Sequence, residues 1–169
     1  MFSPQFSAPI YQLPATGGTP VAVTKLSPKY TTHRWPAFLP DSQHFLYLAA
    51  SHDAPTSSET GVFWASLDGK QNKLVMLSPS NAIYAAGHLL YVQQGALMAQ
   101  LFDLSSGELK GQGTVLNSDA QVDDSVWRGT FSASENGTMI YQPGAAGRGM
   151  QLTWFDIHGK ETWKIGRAG

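Results

Sequence analysis

The chain has 169 residues, of which 42% are hydrophobic, 11% aromatic and only 14% charged, so the composition is globular and excludes a disordered segment. A formal net charge of −1 without a basic stripe gives no electrostatic support to nucleic-acid binding, and the absence of cysteine excludes disulfides and thiolate sites. The 17 glycines and 10 prolines supply many turns and few uninterrupted helices, which suits an all-β chain.

Met1 to Ile10 carries neither a cationic region nor a long apolar run, so it does not read as a signal peptide. No stretch approaches roughly 18 consecutive apolar residues, and neither a membrane span nor membrane contact by this segment is expected. The run Ile10 to Pro14 then leads through Ala15-Thr16-Gly17-Gly18 into a short apolar run, Val21–Leu26. Four candidate strands follow: His33–Leu39, a strand around Tyr47, Val62 to Leu67 before the Asp68-Gly69 turn, and Lys73–Leu77. The same order recurs as Ala82–Ala86, a strand around Tyr91, Leu97 to Asp103 before a turn at Gly107, and Thr114–Leu116. It recurs again as Trp127–Ser132, a strand around Tyr141, Leu152 to Phe155 before an Asp/Gly turn, and Glu161–Ile165.

Tyr47, Tyr91 and Tyr141 lie 44 and 50 residues apart, a period that marks a repeat architecture. Four short strands per unit match the blade of a β-propeller. The expectation is therefore an all-β, partial β-propeller of about three and a half four-stranded antiparallel blades: a half blade over 10–26 and blades over 29–77, 81–117 and 125–166. A helix over Ala82 to Leu104 competes poorly, because Gly87 and Gly95 interrupt it and its apolar residues come in blocks or alternate. The polar loop Ser51–Thr60 and the loop Pro143–Gly149 occupy corresponding places and would emerge on one face, where loops on a rigid scaffold commonly bind.

Pro40-Asp41-Ser42-Gln43-His44-Phe45-Leu46-Tyr47 resembles the signature of the WD40-like (PD40) repeats in TolB-type β-propellers, and Ser134 to Tyr141 is a weaker copy. Ala86 to Tyr91 has lost the Pro-Asp pair, and Ser42 stands where the signature usually has glycine. More narrowly, the chain is similar to the propeller region of bacterial, acidobacterial-type, transmembrane serine/threonine kinases. That resemblance implies an extracytoplasmic, periplasmic location and a role as a sensor or interaction module. Rings of this type close with about six or more blades, so this chain resembles a fragment or an assembling unit. Its unpaired edges predict self-association.

No catalytic constellation accompanies the repeat. A kinase needs a phosphate loop, a lysine and a metal-binding Asp, and His33-Arg34-Trp35 is no catalytic loop, since Trp stands where the Asp base belongs. The glycine-rich Gly144–Gly149 reads as a hairpin loop, and no Gly-x-Ser-x-Gly elbow occurs. His33, His44, His52, His88 and His158 are scattered without metal-ligand spacing. His44 and His88 hold similar places before the tyrosine strands, which suggests a turn or blade-edge role. Asp119 to Asp124 lacks the glycine spacing of a calcium loop and reads as a solvated connection. Neither a metal nor a cofactor is expected.

Trp35, Trp64, Trp127 and Trp154 fall at blade-like places, where large rings either line a ligand funnel or, as more often, fill the space between blades. Trp127-Arg128 is the exception, an Arg beside an aromatic of the kind that anchors interfaces. The candidate binding residues are His52 and Asp53 in the polar loop, Trp127 and Arg128, and Arg148 in the glycine-rich loop. The expected function is a non-catalytic module that takes a protein or small ligand on the loop face. The alternative is a propeller that gates a prolyl-oligopeptidase-like domain absent from this chain, and a purely structural scaffold is a third reading.

Overall fold

The computed structural model describes residues 1–54, 58–135, 137–144, 152–155 and 161–165, the last two segments through their backbone pairing. Among these residues all regular structure is β. Strands β1 (Tyr11–Gln12) and β2 (Val21–Ala22) form a short hairpin. Strands β3 (Thr32–Phe38), β4 (His44–Ala50), β5 (Gly61–Ser66) and β6 (Asn72–Leu77) form an antiparallel sheet in chain order. Strands β7 (Ile83–Ala85), β8 (His88–Gln93), β9 (Ala96–Asp103) and β10 (Glu108–Asn117) form a second. Three hairpins follow: β11 (Val122–Asp123) with β12 (Arg128–Gly129), β13 (Phe131–Ala133) with β14 (Met139–Tyr141), and β15 (Leu152–Phe155) with β16 (Glu161–Ile165).

Successive residues of a strand point to opposite faces, and β4 uses both. Leu46, Leu48 and Ala50 join Val62 and Trp64 of β5 in a core shared with Leu89, Tyr91 and Phe102 of the second sheet. Phe45, Tyr47 and Ala49 face the other way, onto Ile10 beside β1. Both faces being covered, β4 reads as an unbroken apolar run and not as an alternating one. The far face of the second sheet carries buried Val92 and Leu97, and its Leu90 shares a cleft with Met139 of β14. The layers therefore follow chain order: the β1–β2 hairpin, the first sheet, the second sheet and the β13–β14 hairpin.

The three repeat tyrosines hold matching places in these layers. Tyr47 packs toward the N-terminal hairpin, and Tyr91 packs into the core shared with the first sheet. The Tyr141 hydroxyl accepts a hydrogen bond from Asn117 Nδ2 of β10 at 2.7 Å. Each tyrosine thus faces the layer that precedes it.

Several expected elements take a different form. The outer run Thr114–Leu116 is the end of a longer strand, β10, which begins at Glu108. Gly111 (φ 64°) and Gly113 mark a bulge in it, between Lys110 and Thr114, and not a chain break. Asp119 to Asp124 is not merely a solvated connection, since Val122 and Asp123 pair with Gly129 and Arg128. Trp127–Ser132 is divided between β12 and β13, because Trp127 closes a turn at φ 53°. Val21–Leu26 is strand only at Val21–Ala22. The turns Ala86-Gly87 and Gln94-Gly95 have positive φ at both positions, as two-residue hairpins of the second sheet require.

Candidate functional site

The stacked sheets have two dissimilar ends. One end, the tight-turn end, carries tight turns at 39–43, 67–71, 86–87 and 104–107, although the two-residue turn 94–95 lies at the other. Asp41 accepts hydrogen bonds from the backbone N–H groups of Gln43 (3.0 Å) and His44 (2.9 Å) and lies 2.7 Å from His44 Nδ1. His44 Nε2 lies 2.8 Å from Gln71 Oε1, and the imidazole stacks on Trp64 at 4.2 Å. Partial burial opposes protonation of His44, but the hydrogen bonds to Asp41 and Gln71 and the nearby carboxylates outweigh it, so its pKa is raised. Asp68 is held down to about 2 by the Ser66 hydroxyl and the Lys70 N–H, and Asp103 to about 2 by Ser105 and Ser106. His88 closes its own turn, its Nδ1 2.8 Å from the Ala86 carbonyl. The turn role expected of His44 and His88 fits these contacts.

The other end is built around two dipeptides, Arg34-Trp35 in β3 and Trp127-Arg128 at the start of β12. Pro36 withdraws an N–H from β3 and disfavours right-handed helical geometry at Trp35; there the strand bulges, with Trp35 at φ 54°. Trp127 has φ 53°. Left-handed geometry at a residue with a side chain costs about 1–2 kcal/mol. The surroundings hold both residues there. Trp35 Nε1 donates to the Val126 carbonyl at 2.8 Å, and Trp127, only 3% exposed, closes the core between the two sheets.

The two dipeptides exchange partners. The Arg34 guanidinium lies 5.6 Å from the Trp127 ring, and the Arg128 guanidinium lies 5.0 Å from the Trp35 ring. Arg34 also lies 4.8 Å from the ring of Phe6 and donates through Nη2 to the Phe6 carbonyl at 3.2 Å and through Nε to Thr32 Oγ1 at 3.3 Å. His52 stacks on Phe6 at 3.6 Å, with its Nε2 2.9 Å from the Phe6 carbonyl, and its ring is 5.1 Å from that of Trp127. Burial pulls the Arg34 pKa down from its ordinary value, yet a guanidinium stays charged. Neither Arg34 nor Arg128 forms an ion pair among the described residues. Arg34 and Trp35 line a cleft of about 330 Å³ with the N-terminal residues Met1, Phe2 and Ser3. Arg128 lines a second cleft, of about 510 Å³, along β13 and β14.

Of the residues singled out in the sequence, the structure gathers His52, Trp127 and Arg128 into this cluster. Trp127 is a packing residue whose ring is closed off from solvent, and Arg128 is the exposed member of that pair. Asp53 is exposed in the loop, its N–H donating to Ser51 Oγ, and among the described residues no contact joins its carboxylate to the cluster. Arg148, and most of the loop Pro143–Gly149, lie outside the described residues. Sequence reasoning passed over Phe6, Arg34 and Trp35 as binding residues. The available signal was a second Arg-Trp dipeptide in reversed order.

Among the described residues no group of His, Asp and Glu is placed to hold a metal ion, and no helix is long and apolar enough to cross a membrane. In comparisons with known proteins, no family model, no curated protein and no solved structure matches the chain.

Proposed function

We propose that the chain is a segment of a TolB-type, WD40-like β-propeller and that it works as a non-catalytic interaction or ligand-sensing module. The stacking of antiparallel sheets in chain order, each with its tyrosine toward the preceding layer, supports the propeller reading. The observation that carries the binding reading is the reciprocal Arg34–Trp127 and Arg128–Trp35 pairing at the end opposite the tight turns. Arginine on aromatic rings is characteristic of interface anchors, and left-handed geometry at two tryptophans is strain of the kind found at ligand clamps. From the resemblance of the repeats we infer an extracytoplasmic module of a bacterial receptor-like kinase, with a protein or small ligand as its partner. The edges at β6 and β10, with exposed Leu77 and Val115, suit pairing with another chain.

Two assays of the purified chain test this reading. Turnover of ATP and of peptide and ester substrates is expected to stay at the uncatalysed rate. Immobilised chain is expected to retain a discrete partner from envelope extract that an Arg34→Gln/Arg128→Gln double variant releases. Turnover above background, or retention indifferent to the double variant, would contradict it.

A further inference from the structure

The same end of the molecule permits a statement about the chemistry of the partner, one that rests on the interaction reading above. Arg34 spends Nε and Nη2 on Thr32 and Phe6, which leaves Nη1 and the outer N–H of the fork uncommitted. The Arg128 side chain lies over the Trp35 ring and makes no hydrogen bond among the described residues. Its cross-strand neighbour Asp123 is the natural acid for it, but Asp123 Oδ1 accepts from the hydroxyl and backbone N–H of Ser125 instead. The tight-turn end behaves differently, since Lys70, Lys73 and Lys110 each lie against a carboxylate. Among the described residues, Lys70, Lys73 and Lys110 thus have carboxylate partners, as does Lys29 with Glu59, whereas the two arginines over the tryptophans have none.

A guanidinium over an aromatic ring keeps N–H groups available, and two of them fit the two oxygens of a carboxylate or phosphate. Trp35 joins the two arginines: its neighbour Arg34 lines the 330 Å³ cleft with it, and Arg128 covers its ring. We propose that the surface around Trp35, between the cleft that Arg34 lines and the cleft that Arg128 lines, binds an oxyanion group, the carboxylate of an acidic peptide or a phosphate, with Arg34 and Arg128 as the recognising residues and Trp35 as the platform. The bulge at Trp35 and the turn at Trp127 position the two forks.

The test is isothermal titration of the full 169-residue chain with triglutamate, with pyrophosphate and with triserine, repeated at higher salt. Triglutamate or pyrophosphate is expected to bind more weakly as salt rises. Whichever of the two binds names the source of the oxyanion, and binding by both marks the shared chemistry. Arg128→Gln is expected to weaken binding about tenfold or more with an unchanged melting temperature, since its side chain is exposed. Arg34→Gln is expected to do the same with some loss of stability, and Arg34→Lys to restore that binding only partly. Lys70→Gln, at the opposite end, is expected to bind as the parent does. The inference is overturned if neither anion binds at millimolar concentration, if Arg128→Gln binds undiminished, or if Lys70→Gln costs as much. Triserine binding as tightly as triglutamate would remove the oxyanion and leave the interaction reading standing, whereas catalytic turnover would remove that reading itself.

Discussion

At the tight-turn end, Asp41, Asp68 and Asp103 each hold backbone or hydroxyl hydrogens of their own loop, and the neighbouring lysines have carboxylate partners. At the other end, Arg34 and Arg128 lie on indole rings and have no carboxylate partner among the described residues, while two tryptophans hold left-handed backbone. The first arrangement satisfies polar groups locally, so it fixes the hairpins and offers little to a partner. The second leaves charge and hydrogen-bonding capacity unspent on a rigid support, as binding requires. The first end consists of hairpin turns, whereas the second uses a bulge within β3 and the turn that enters β12, so the contrast comes from where the strands turn or bulge.

The largest expected effect lies at the tight-turn end. Gly107 has φ 63°, and a Cβ there would meet the Trp64 indole at 2.6 Å. Gly107→Ala combines left-handed strain with overpacking and is expected to cost about 4 kcal/mol in chemical denaturation, with anion binding by the folded fraction intact.

Acid provides the next contrast. Burial lowers the His33 pKa to about 4, beside Thr24 Oγ1, which accepts from the Ile10 N–H and can donate its own proton to His33 Nδ1. The folded state resists the proton that the unfolded chain takes up near 6.5. The stabilisation is therefore present above pH 6.5 and is lost as pH falls toward 4, by about 3 kcal/mol at about 1.4 kcal/mol per unit. His44 has the opposite sign: its raised pKa gives stability that is present below 6.5 and is lost as pH rises through the folded value. Urea denaturation across pH 3–8 is expected to show the acid loss, which His33→Gln removes, and Asp41→Asn is expected to abolish the gain that His44 provides.

Smaller effects separate stability from binding. Arg128→Gln is expected to change stability by less than about 1 kcal/mol, the scale of an exposed cation–aromatic contact, while weakening anion binding about tenfold. Ser42 has φ 56°, in the left-handed region that favours glycine. Ser42→Gly is expected to stabilise the chain by about 0.5 kcal/mol, measured by thermal melting, since the left-handed cost outweighs the added freedom of the unfolded chain.

Strand order was readable because Tyr47, Tyr91 and Tyr141 recur with turns and apolar runs around them, and β3 to β10 each overlap a candidate strand. The glycines of 111–113 hid the length of β10, because the same residue marks a bulge and a turn. The candidate site was half readable. Trp127-Arg128 and His52 stood out, but Phe6 and Arg34 join them only through packing between segments 28 and 93 residues apart, which no local pattern encodes. That Trp127 is buried and Arg128 exposed depends on the left-handed turn, which the sequence Val126-Trp127-Arg128 does not announce.

The indole N–H signals give the most direct test of the contrast between the two ends. Trp35 Nε1 is bonded to the Val126 carbonyl at the arginine cluster, whereas Trp64 Nε1 is buried under the turns at the far end. In a 15N-labelled chain titrated with triglutamate, the Trp35 indole signal is expected to shift with added anion while the Trp64 signal stays in place. A shift confined to Trp64, or a spectrum unchanged at millimolar triglutamate and pyrophosphate, would contradict the account.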